Sequence, residues 1–269
     1  MLARLISSAR KFLLLVSLTP PCLWAEQPAF EWLPSTPDLE LGSYTWSTGI
    51  FSESKIVAAR SSLIKYRIGV IRAIEHGAKR DTAAQICKLS KAGVCINANF
   101  FDEQGETLGL VISRGILFNK LHKGGNVLTG ILQATRNGVE IINRVVFKPG
   151  PILEAVQAGP RLISKGRPVG GLHPLEAKNL SGICVDQDQR IIFYAIESKW
   201  SGPSIEQLQT LLLGPGLRCR EALNLDGGSS TQFAIAPQIA PDSSRIDEFA
   251  VVGKERVPVV LALIPLSGG

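Results

Sequence analysis

Apolar runs of strand length, separated by turn residues, fill most of this chain and constrain its fold more than any other feature. Segments such as "VCINANFF", "TGILQATRNGVEIIN" and "EALNLD" are typical of strands, and Asn137-Gly138 is a hairpin turn signal. Only two segments have the apolar spacing of a helix: "DTAAQICKLSKAG", with Asp81 or Thr82 as its N-cap, and "SIEQLQTLLL", with Ser204 as its N-cap. Because strands outnumber helices and do not alternate with them regularly, the sequence predicts a single mixed α+β domain with more strand than helix.

The first 25 residues have the pattern of a secretory signal. Basic residues precede the apolar run "FLLLVSL", and Ala25 supplies a small residue before a cleavage point. The run is shorter than the roughly 20 residues of a membrane-spanning helix, although a membrane anchor is the alternative interpretation. We expect residues 1–25 to be a signal peptide, the proline-rich residues 26–54 an N-terminal leader segment and residues 55–269 the domain. The mature chain, with no transmembrane span, would be periplasmic or extracellular.

The charge balance excludes one class of partner. Removing the three basic residues of the signal from the 29 in the chain leaves 26 against 23 acidic residues, a net charge of +3. The basic residues are scattered among acids and form no run, which argues against nucleic-acid binding.

Four cysteines remain after removal of the signal, and an even number in an exported chain permits two disulfides. Cys87 and Cys95 could close a short loop, which would leave Cys184 to pair with Cys219. The alternative is that all four are buried thiols. Their spacing does not match a zinc site.

Polar residues stand at the ends of three apolar strands, where a buried side chain would be costly without a partner. A single one of them could cap a turn, or Asp226 could pair with Arg161. Three such segments together favour a shared pocket. The side chains and glycines concerned are Asn97, Asn99 and Asp102 in the first segment, Gln157, Gly159 and Arg161 in the second, and Asn224, Asp226, Gly227, Gly228, Ser229, Ser230 and Thr231 in the third.

Five segments carry a resemblance to a known family. "INANFFDEQGETLGLVIS", "GGNVLTGILQATRNGVEI", "AVQAGPRLISKGRPV", "GICVDQDQRIIFYAIES" and "ALNLDGGSSTQFA" occur in the order and at roughly the spacing of the phosphodiester glycosidases, over about residues 55 to 265. The Asp-Gly-Gly-Ser-Ser-Thr loop and the Gly-Pro-Arg segment are the most specific parts. The chain departs from the family at Ala98 and Asn99, which replace two glycines, and at "ESKWSGP", which replaces a glycine-rich loop.

The resemblance implies cleavage between an anomeric carbon and a phosphate oxygen. Asp226 is the first candidate for nucleophile or base, Asp102 the second and Glu197 the third, since glycoside cleavage generally uses two carboxylates. Arg161 would bind the phosphate with its guanidinium. The predicted substrate-binding residues are Asn97, Asn99, Gln157, Asn224, Gly227, Gly228, Ser229, Ser230, Thr231 and Glu197.

Further expectations concern cofactors and partners. Asp102, Asp226 and nearby carbonyl oxygens would suit a divalent cation such as Ca²⁺ or Mg²⁺, although the spacing does not require one. His122 is interpreted as a solvated loop residue, with a place at the pocket border as the alternative. Trp200 could stack on a sugar or cover the core. The oligomeric state stays open.

Three functions are consistent with these residues. The first is an exported hydrolase of sugar-1-phosphodiesters, with an envelope glycopolymer as a candidate substrate. The second is a non-catalytic carbohydrate- or phosphate-binding envelope protein, suggested by Asn99 and the "ESKWSGP" segment. The third is a structural envelope protein, against which the presence of Asp102, Arg161 and Asp226 argues.

Overall fold

The computed structural model describes residues 30–47, 53–175 and 177–266; the predicted signal peptide lies outside them. These residues form three antiparallel sheets and two α-helices, so the predicted α+β class with more strand than helix is confirmed. None of the helices in the described ranges has both the length and the apolar character that a membrane crossing needs.

The largest sheet has eight strands, in the spatial order β1-β2-β3-β14-β13-β15-β11-β12. Every neighbouring pair in it is antiparallel. Its strands are β1 (Leu33–Thr36), β2 (Leu39–Ser47), β3 (Glu53–Ser61), β11 (Arg161–Ser164), β12 (Arg167–Pro168), β13 (Leu180–Asp186), β14 (Ile191–Ser198) and β15 (Cys219–Asn224).

Two smaller sheets complete the fold. The four-stranded sheet has the order β16-β5-β17-β4 and the five-stranded sheet the order β7-β6-β10-β8-β9. The strands of the former are β4 (Tyr66–Arg72), β5 (Val94–Asn97), β16 (Phe233–Ile235) and β17 (Val259–Pro265). Those of the latter are β6 (Val111–Ser113), β7 (Ile116–Asn119), β8 (Gly130–Thr135), β9 (Gly138–Asn143) and β10 (Glu154–Ala158).

Both predicted helices are present. Helix α1 (Ala83–Ser90) is capped by Thr82, whose side chain accepts a hydrogen bond from the backbone of Gln85. Helix α2 (Ile205–Leu213) begins with a capping box between Ser204 and Gln207. The caps agree with the sequence because they depend on neighbouring residues alone.

The central strands of the large sheet are buried on both faces. Along β14, Phe193 and Ala195 face a core shared with the two smaller sheets, whereas Ile192, Tyr194 and Ile196 face a second core under α2. Side chains alternate between the faces of a strand, so a strand covered on both sides needs a continuous apolar run. The segment "IIFYAI" is such a run.

Part of the predicted leader belongs to this sheet instead of preceding the domain. Strand β2 pairs with β3 from Glu40 to Ser47, and Leu39 and Leu41 are fully buried in the shared core. A bidentate ion pair between Glu40 and Arg60 spans the two strands. The proline-rich composition hid this role, because edge strands such as β1 tolerate proline.

The two possible disulfides have different outcomes. Cys184 and Cys219 are bonded across β13 and β15, with Cα atoms 5.8 Å apart. Cys87 and Cys95 are free buried thiols, which is the alternative that the sequence left open for them. Both pack in the apolar cluster under α1, where the thiol of Cys87 donates to the carbonyl oxygen of Ala92.

Candidate active site

A cleft of about 800 Å³ opens where strands of the large and the four-stranded sheet end together. Its walls come from six separate stretches of chain, which is why no single motif predicts it. The lining residues used below are Phe100, Phe101, Asp102, Glu103, Asn126, Gly159, Pro160, His173, Asn224, Asp226, Gly227, Gly228, Ser229, Ser230 and Glu255.

Strands β5 and β15 belong to different sheets, but hydrogen bonds join the chain at and just beyond their C-terminal ends. The backbone N–H of Asp226 donates to the carbonyl of Ala98 at 3.0 Å. The carbonyl of Asp226 accepts from Asn97 Nδ2 at 2.7 Å and from Ser181 Oγ at 2.6 Å. Asp226 is therefore held at the junction of two sheets by its backbone, which leaves its carboxylate free to face the cleft.

The Asp-Gly-Gly loop, residues 226–231, turns sharply after Asp226. Gly228 has φ of +65°, a left-handed conformation that glycine adopts readily, and it begins a short 3-10 turn of residues Gly228–Ser230. The N–H of Gly227 donates to Asp226 Oδ1 at 2.9 Å, and the N–H of Gly228 to the carbonyl of Asn179.

Burial raises the pKa of Asp226 to about 6 from its ordinary value of 3.8. Hydrogen bonds from Ser230 and from the backbone of Gly227 oppose this rise, while the negative charge of Glu255 adds to it. A carboxylate with a pKa near neutrality can exchange protons efficiently at physiological pH. Asp226 therefore has the electrostatics of an acid–base residue.

Glu255 is a second carboxylate in the cleft, and it was not among the predicted site residues. Its Oε2 accepts from Ser229 Oγ at 2.9 Å and from Ser230 Oγ at 3.5 Å. Its backbone N–H donates to the carbonyl of Ser229 at 3.1 Å, which ties residue 255 to the Asp-Gly-Gly loop. The sequence signal is the polar stretch "GKER", residues 253–256, shortly before the last strand.

Asp102 also lines the cleft, as predicted from its place after β5. Its Oδ1 accepts from the N–H of Glu106 at 2.8 Å, so this carboxylate also closes the turn that follows "NANFF". It is half-buried beside Phe101 and Glu103.

Two buried asparagines near the cleft have unpaired polar atoms. Asn224 lines the cleft, and its Oδ1 has no hydrogen-bond partner among the described residues, whereas its Nδ2 donates to carbonyls of Gly159 and Leu225. Asn99 is 2% exposed, and neither its Oδ1 nor its Nδ2 has a partner there. Unpaired buried amide atoms are costly, and they are typical of sites that receive a ligand or a water molecule.

Arg161 does not line the cleft, although Gly159 and Pro160 before it do. Its guanidinium pairs with Glu221 at 2.7 Å and donates to Ser164 at 2.9 Å. The expected pairing of Arg161 with Asp226 is therefore absent, and the phosphate-binding role predicted for it has no geometric support.

Besides Asn99, four predicted substrate-binding residues lie outside the cleft lining. Asn97 and Gln157 are fully buried and bonded to backbone: Asn97 to residues 226 and 232, Gln157 to residues 110, 122 and 128. Thr231 is fully buried. Glu197 is exposed on β14, opposite Lys55 of β3.

Asn126 and His173 complete the polar lining and were not predicted as site residues. Gly124-Gly125 directly precedes Asn126, and Gly170-Gly171 is separated from His173 by Leu172, so paired glycines shortly before a polar residue were the available signal. His122 is exposed and outside the lining, in agreement with its interpretation as a solvated loop residue.

The cleft is acidic. Asp102, Glu103, Asp226 and Glu255 line it, and none of its described lining residues is a lysine or an arginine. Within the described ranges, no cluster of three or more histidine, cysteine, aspartate or glutamate side chains is arranged to hold a metal ion. The donors do not fit a complete cation site, and no step below uses a metal.

Three solved structures resemble this fold. A hypothetical protein from Synechocystis has a TM-score of 0.61 at 17% identity, over 90% of this chain and 65% of that one. The catalytic domain of zebrafish N-acetylglucosamine-1-phosphodiester alpha-N-acetylglucosaminidase, auto-inhibited by its pro-peptide, has a TM-score of 0.63 at 16% identity. The match covers 89% of this chain and 87% of that one. A putative exported protein from Burkholderia pseudomallei K96243 has a TM-score of 0.57 at 12% identity, over 80% of this chain and 74% of that one.

This chain spans slightly less than two thirds of the Synechocystis protein, and identities this low show a common fold alone. A comparison with curated protein sequences found no significant match. The sequence profile of phosphodiester glycosidases, however, matches residues 90–263, which is well over half of the chain. This range contains all the residues that line the cleft. The chain therefore belongs to the phosphodiester glycosidase family.

Proposed function

We propose that this protein is an exported hydrolase that cleaves the bond between the anomeric carbon of a sugar and the oxygen of a phosphodiester. The observation that carries the proposal is Asp226, whose pKa is raised to about 6 in the wall of a cleft built on the family's Asp-Gly-Gly loop. A carboxylate in the wall of a cleft is a group that glycoside cleavage generally uses.

In the proposed step, the carboxylate of Asp226 accepts a proton from a water molecule. The water oxygen bonds to the anomeric carbon, and the bond to the phosphate oxygen breaks with its electron pair left on the phosphate. The products are a free sugar and a phosphomonoester, and the proton on Asp226 returns to solvent. Asp102 and Glu255 supply negative charge for the cation that develops on the sugar ring.

The same acidic walls limit how the substrate lies. A diester phosphate carries a negative charge, and the side chains of the cleft lining that we expect to donate hydrogen bonds to it are Asn126 and His173. We assign the phosphate to these groups because Arg161 is engaged with Glu221. The unpaired Oδ1 of Asn224 is a ready acceptor for a sugar hydroxyl.

Export is part of the proposal. The bond between Cys184 and Cys219 supports it, because disulfides persist in oxidising compartments such as the periplasm and the extracellular space. Sugar-phosphate diesters of envelope glycopolymers are substrates available in those compartments.

A second candidate function is a non-catalytic module that binds neutral carbohydrate. The observation that favours it is the absence of lysine and arginine among the described cleft-lining residues, since a phosphate-binding cleft usually offers such a cation.

The test is release of sugar from a panel of sugar-1-phosphodiesters by the purified protein, with and without a chelator, beside Asp226→Asn. Neutral oligosaccharides serve as ligands in a parallel calorimetric experiment. We expect stoichiometric sugar and phosphomonoester from the wild type and loss of turnover in the variant. Turnover that the chelator abolishes would add the cation to the site.

Two results would overturn the proposal. Full activity in a folded Asp226→Asn protein would remove Asp226 from the chemistry. Saturable binding of neutral sugars without turnover of any diester would establish the binding module instead.

A further inference from the structure

The loop of residues 122–128 carries Asn126 into the wall of the cleft, and an arginine from outside the lining binds it. The guanidinium of Arg144, directly after β9, donates to three carbonyl oxygens of this loop: those of Gly124, Gly125 and Leu128, the last at 3.1 Å. The backbone N–H of Arg144 donates to the carbonyl of Thr129 at 3.0 Å. The positive charge of Arg144 is therefore fixed against the carbonyl groups of the loop.

Two further donors bind carbonyl groups of the same loop. Gln157, which is fully buried, donates from Nε2 to the carbonyls of His122 and Leu128, at 2.7 and 2.9 Å. The carbonyl of Val127 accepts from the N–H of Thr129 at 2.7 Å. Together with the arginine contacts, these bonds engage five of the seven carbonyl oxygens in the loop.

The amide N–H groups of the loop are not used in this way. None of those of residues 124–128 donates to an acceptor within the described part of the chain, and most of the loop is exposed. A trans peptide holds its N–H and its C=O on opposite sides, and the peptides of this loop are trans. The carbonyls of Gly124 and Gly125 turn to Arg144. The N–H groups of the same two peptides, which belong to Gly125 and Asn126, therefore turn away from it.

Gly125 gives the loop a conformation that suits an anion. Its φ of +67° is left-handed, and a Cβ atom there would have no neighbour within 4 Å, so the glycine serves the backbone conformation and not a close approach. Successive N–H groups next to a left-handed residue form a concavity that binds anions.

The charge of the cleft makes such a site necessary for a phosphate ligand. The lining has four carboxylates, and none of its described residues is a lysine or an arginine. Each peptide whose oxygen is bonded to the Arg144 guanidinium presents the positive end of its dipole on the opposite side. A cation outside the lining can therefore favour an anion inside it through the peptides between them.

We propose that the N–H groups of Gly125 and Asn126, oriented by Arg144, face the cleft and form its phosphate-binding site. The ligand is the phosphate of the diester and of the phosphomonoester product. Arg144 is a positioning residue, because it binds the loop and not the substrate. The inference rests on the proposed function, which brings a phosphodiester into this cleft, and it adds the backbone groups that hold the phosphate.

The first test compares Arg144→Gln with the wild type by steady-state kinetics and product inhibition. The KM of the diester and the inhibition constant of the phosphomonoester should each rise about tenfold, the factor expected for one hydrogen bond to a charged ligand. The inhibition constant of the free sugar and kcat should stay unchanged, because the loop holds the phosphate in both the bound substrate and the transition state.

Two further variants separate orientation of the loop from charge alone. Arg144→Lys keeps the charge but lacks the planar fork that holds several carbonyls, so it should recover only part of the lost affinity. Arg136→Gln is the matched control, because it removes the same charge from the exposed turn at the other end of β9. It should leave KM, kcat and both inhibition constants unchanged.

The second test examines the two N–H groups directly and needs no turnover. The ¹⁵N-labelled protein is titrated with dimethyl phosphate, a diester monoanion, and with inorganic phosphate. Hydrogen bonds to phosphate oxygens should move the amide proton resonances of Gly125 and Asn126 downfield in the wild type. Arg144→Gln should need about tenfold more ligand for the same shift.

Weaker inhibition by the phosphomonoester alone, together with downfield shifts of both amides, would support the site. Equal weakening of free sugar and phosphomonoester would overturn it, because a merely structural role of Arg144 disturbs both. Full recovery in Arg144→Lys would overturn the orienting role, and amides that do not move on titration would leave the N–H groups to water. If the wild type has no turnover, the proposed function fails by itself, and the titration decides the phosphate site.

Discussion

The Asp-Gly-Gly loop and the Gly-Pro-Arg segment, residues 159–161, are the most family-specific parts of the sequence but contribute differently to the cleft. The loop presents the carboxylate of Asp226 and the hydroxyls of two serines. The segment contributes Gly159 and Pro160 only, and its charged residue, Arg161, pairs with Glu221 away from the cleft.

Strand register explains the difference. Arg161 lies opposite Leu223 in the pairing of β11 with β15, and Glu221 is two residues from Leu223, on the same face. Asn224, the next residue, points to the other face and lines the cleft. Because side chains alternate between the two faces of a strand, the Arg161 guanidinium lies on the same face as Glu221. Cross-strand neighbours on one face can pair, and these two do.

The glycine of the segment is required for a different reason. Gly159 has φ of +154°, and a Cβ atom there would lie 2.0 Å from the carbonyl oxygen of Val127. The motif therefore keeps its glycine for backbone packing at the cleft wall, while the direction of its arginine depends on the strand. A motif identifies a segment of the site, and the register decides which of its side chains reach it.

The largest expected effect separates the two segments directly. Asp226→Asn should lower kcat by about 10³-fold, the usual contribution of an acid–base group. Its stability should not fall, because the change removes a partly buried charge. Steady-state kinetics and a thermal melt measure both. A variant that loses activity only because it unfolds would contradict the assignment.

Arg161→Met should show the reverse pattern. Glu221 would lose its cation at a site where both side chains are less than one-fifth exposed, at a cost of about 2 kcal/mol in the free energy of unfolding. Urea denaturation measures the loss, with Arg167→Met on the exposed strand β12 as the control. A fall in kcat/KM of more than about tenfold (1.4 kcal/mol) would instead return Arg161 to the site.

The pH dependence tests the loop alone. Since the proposed base must be charged, kcat should hold above pH 6 and fall about tenfold for each unit below it. Stability should change in the opposite sense. The pKa of Asp226 is raised on folding, so the free energy of unfolding rises as the pH falls from 6 toward 3.8. Asp226→Asn should lack this second dependence, and melts across that range would detect it.

The smallest expected effect concerns Asn99, where the chain departs from the family. Asn99→Ala removes an unpaired buried amide and should stabilise the substrate-free protein by about 1 kcal/mol. If substrate pairs with that amide, KM should rise several-fold with kcat unchanged. Lower stability together with an unchanged KM would show that the amide is satisfied by buried water.

Features that depend on neighbouring residues could be predicted from the sequence. Thr82 and Ser204 cap the helices as expected, and the turn chemistry of residues 226–231 indicated a site at the end of β15. Features that depend on residues far apart in the chain could not. Glu255 reaches the Asp-Gly-Gly loop through hydrogen bonds across 25 and 26 residues, and the polar stretch around it does not reveal which distant segment it contacts.

The sequence by itself determined the fold class, the family, and the placement of Asp102, Asn224 and the loop of residues 226–230 at one cleft. The spacing of apolar residues, the helix caps and the turn residues are local features of the sequence, and the prediction of the fold and the site depended on them. Only the tertiary structure decided that Arg161 pairs with Glu221, that Asn97 and Gln157 bind backbone groups, and that Cys87 and Cys95 are free thiols. Those outcomes depend on which face of a strand is paired with which neighbour, and that choice is made when the sheets pack together.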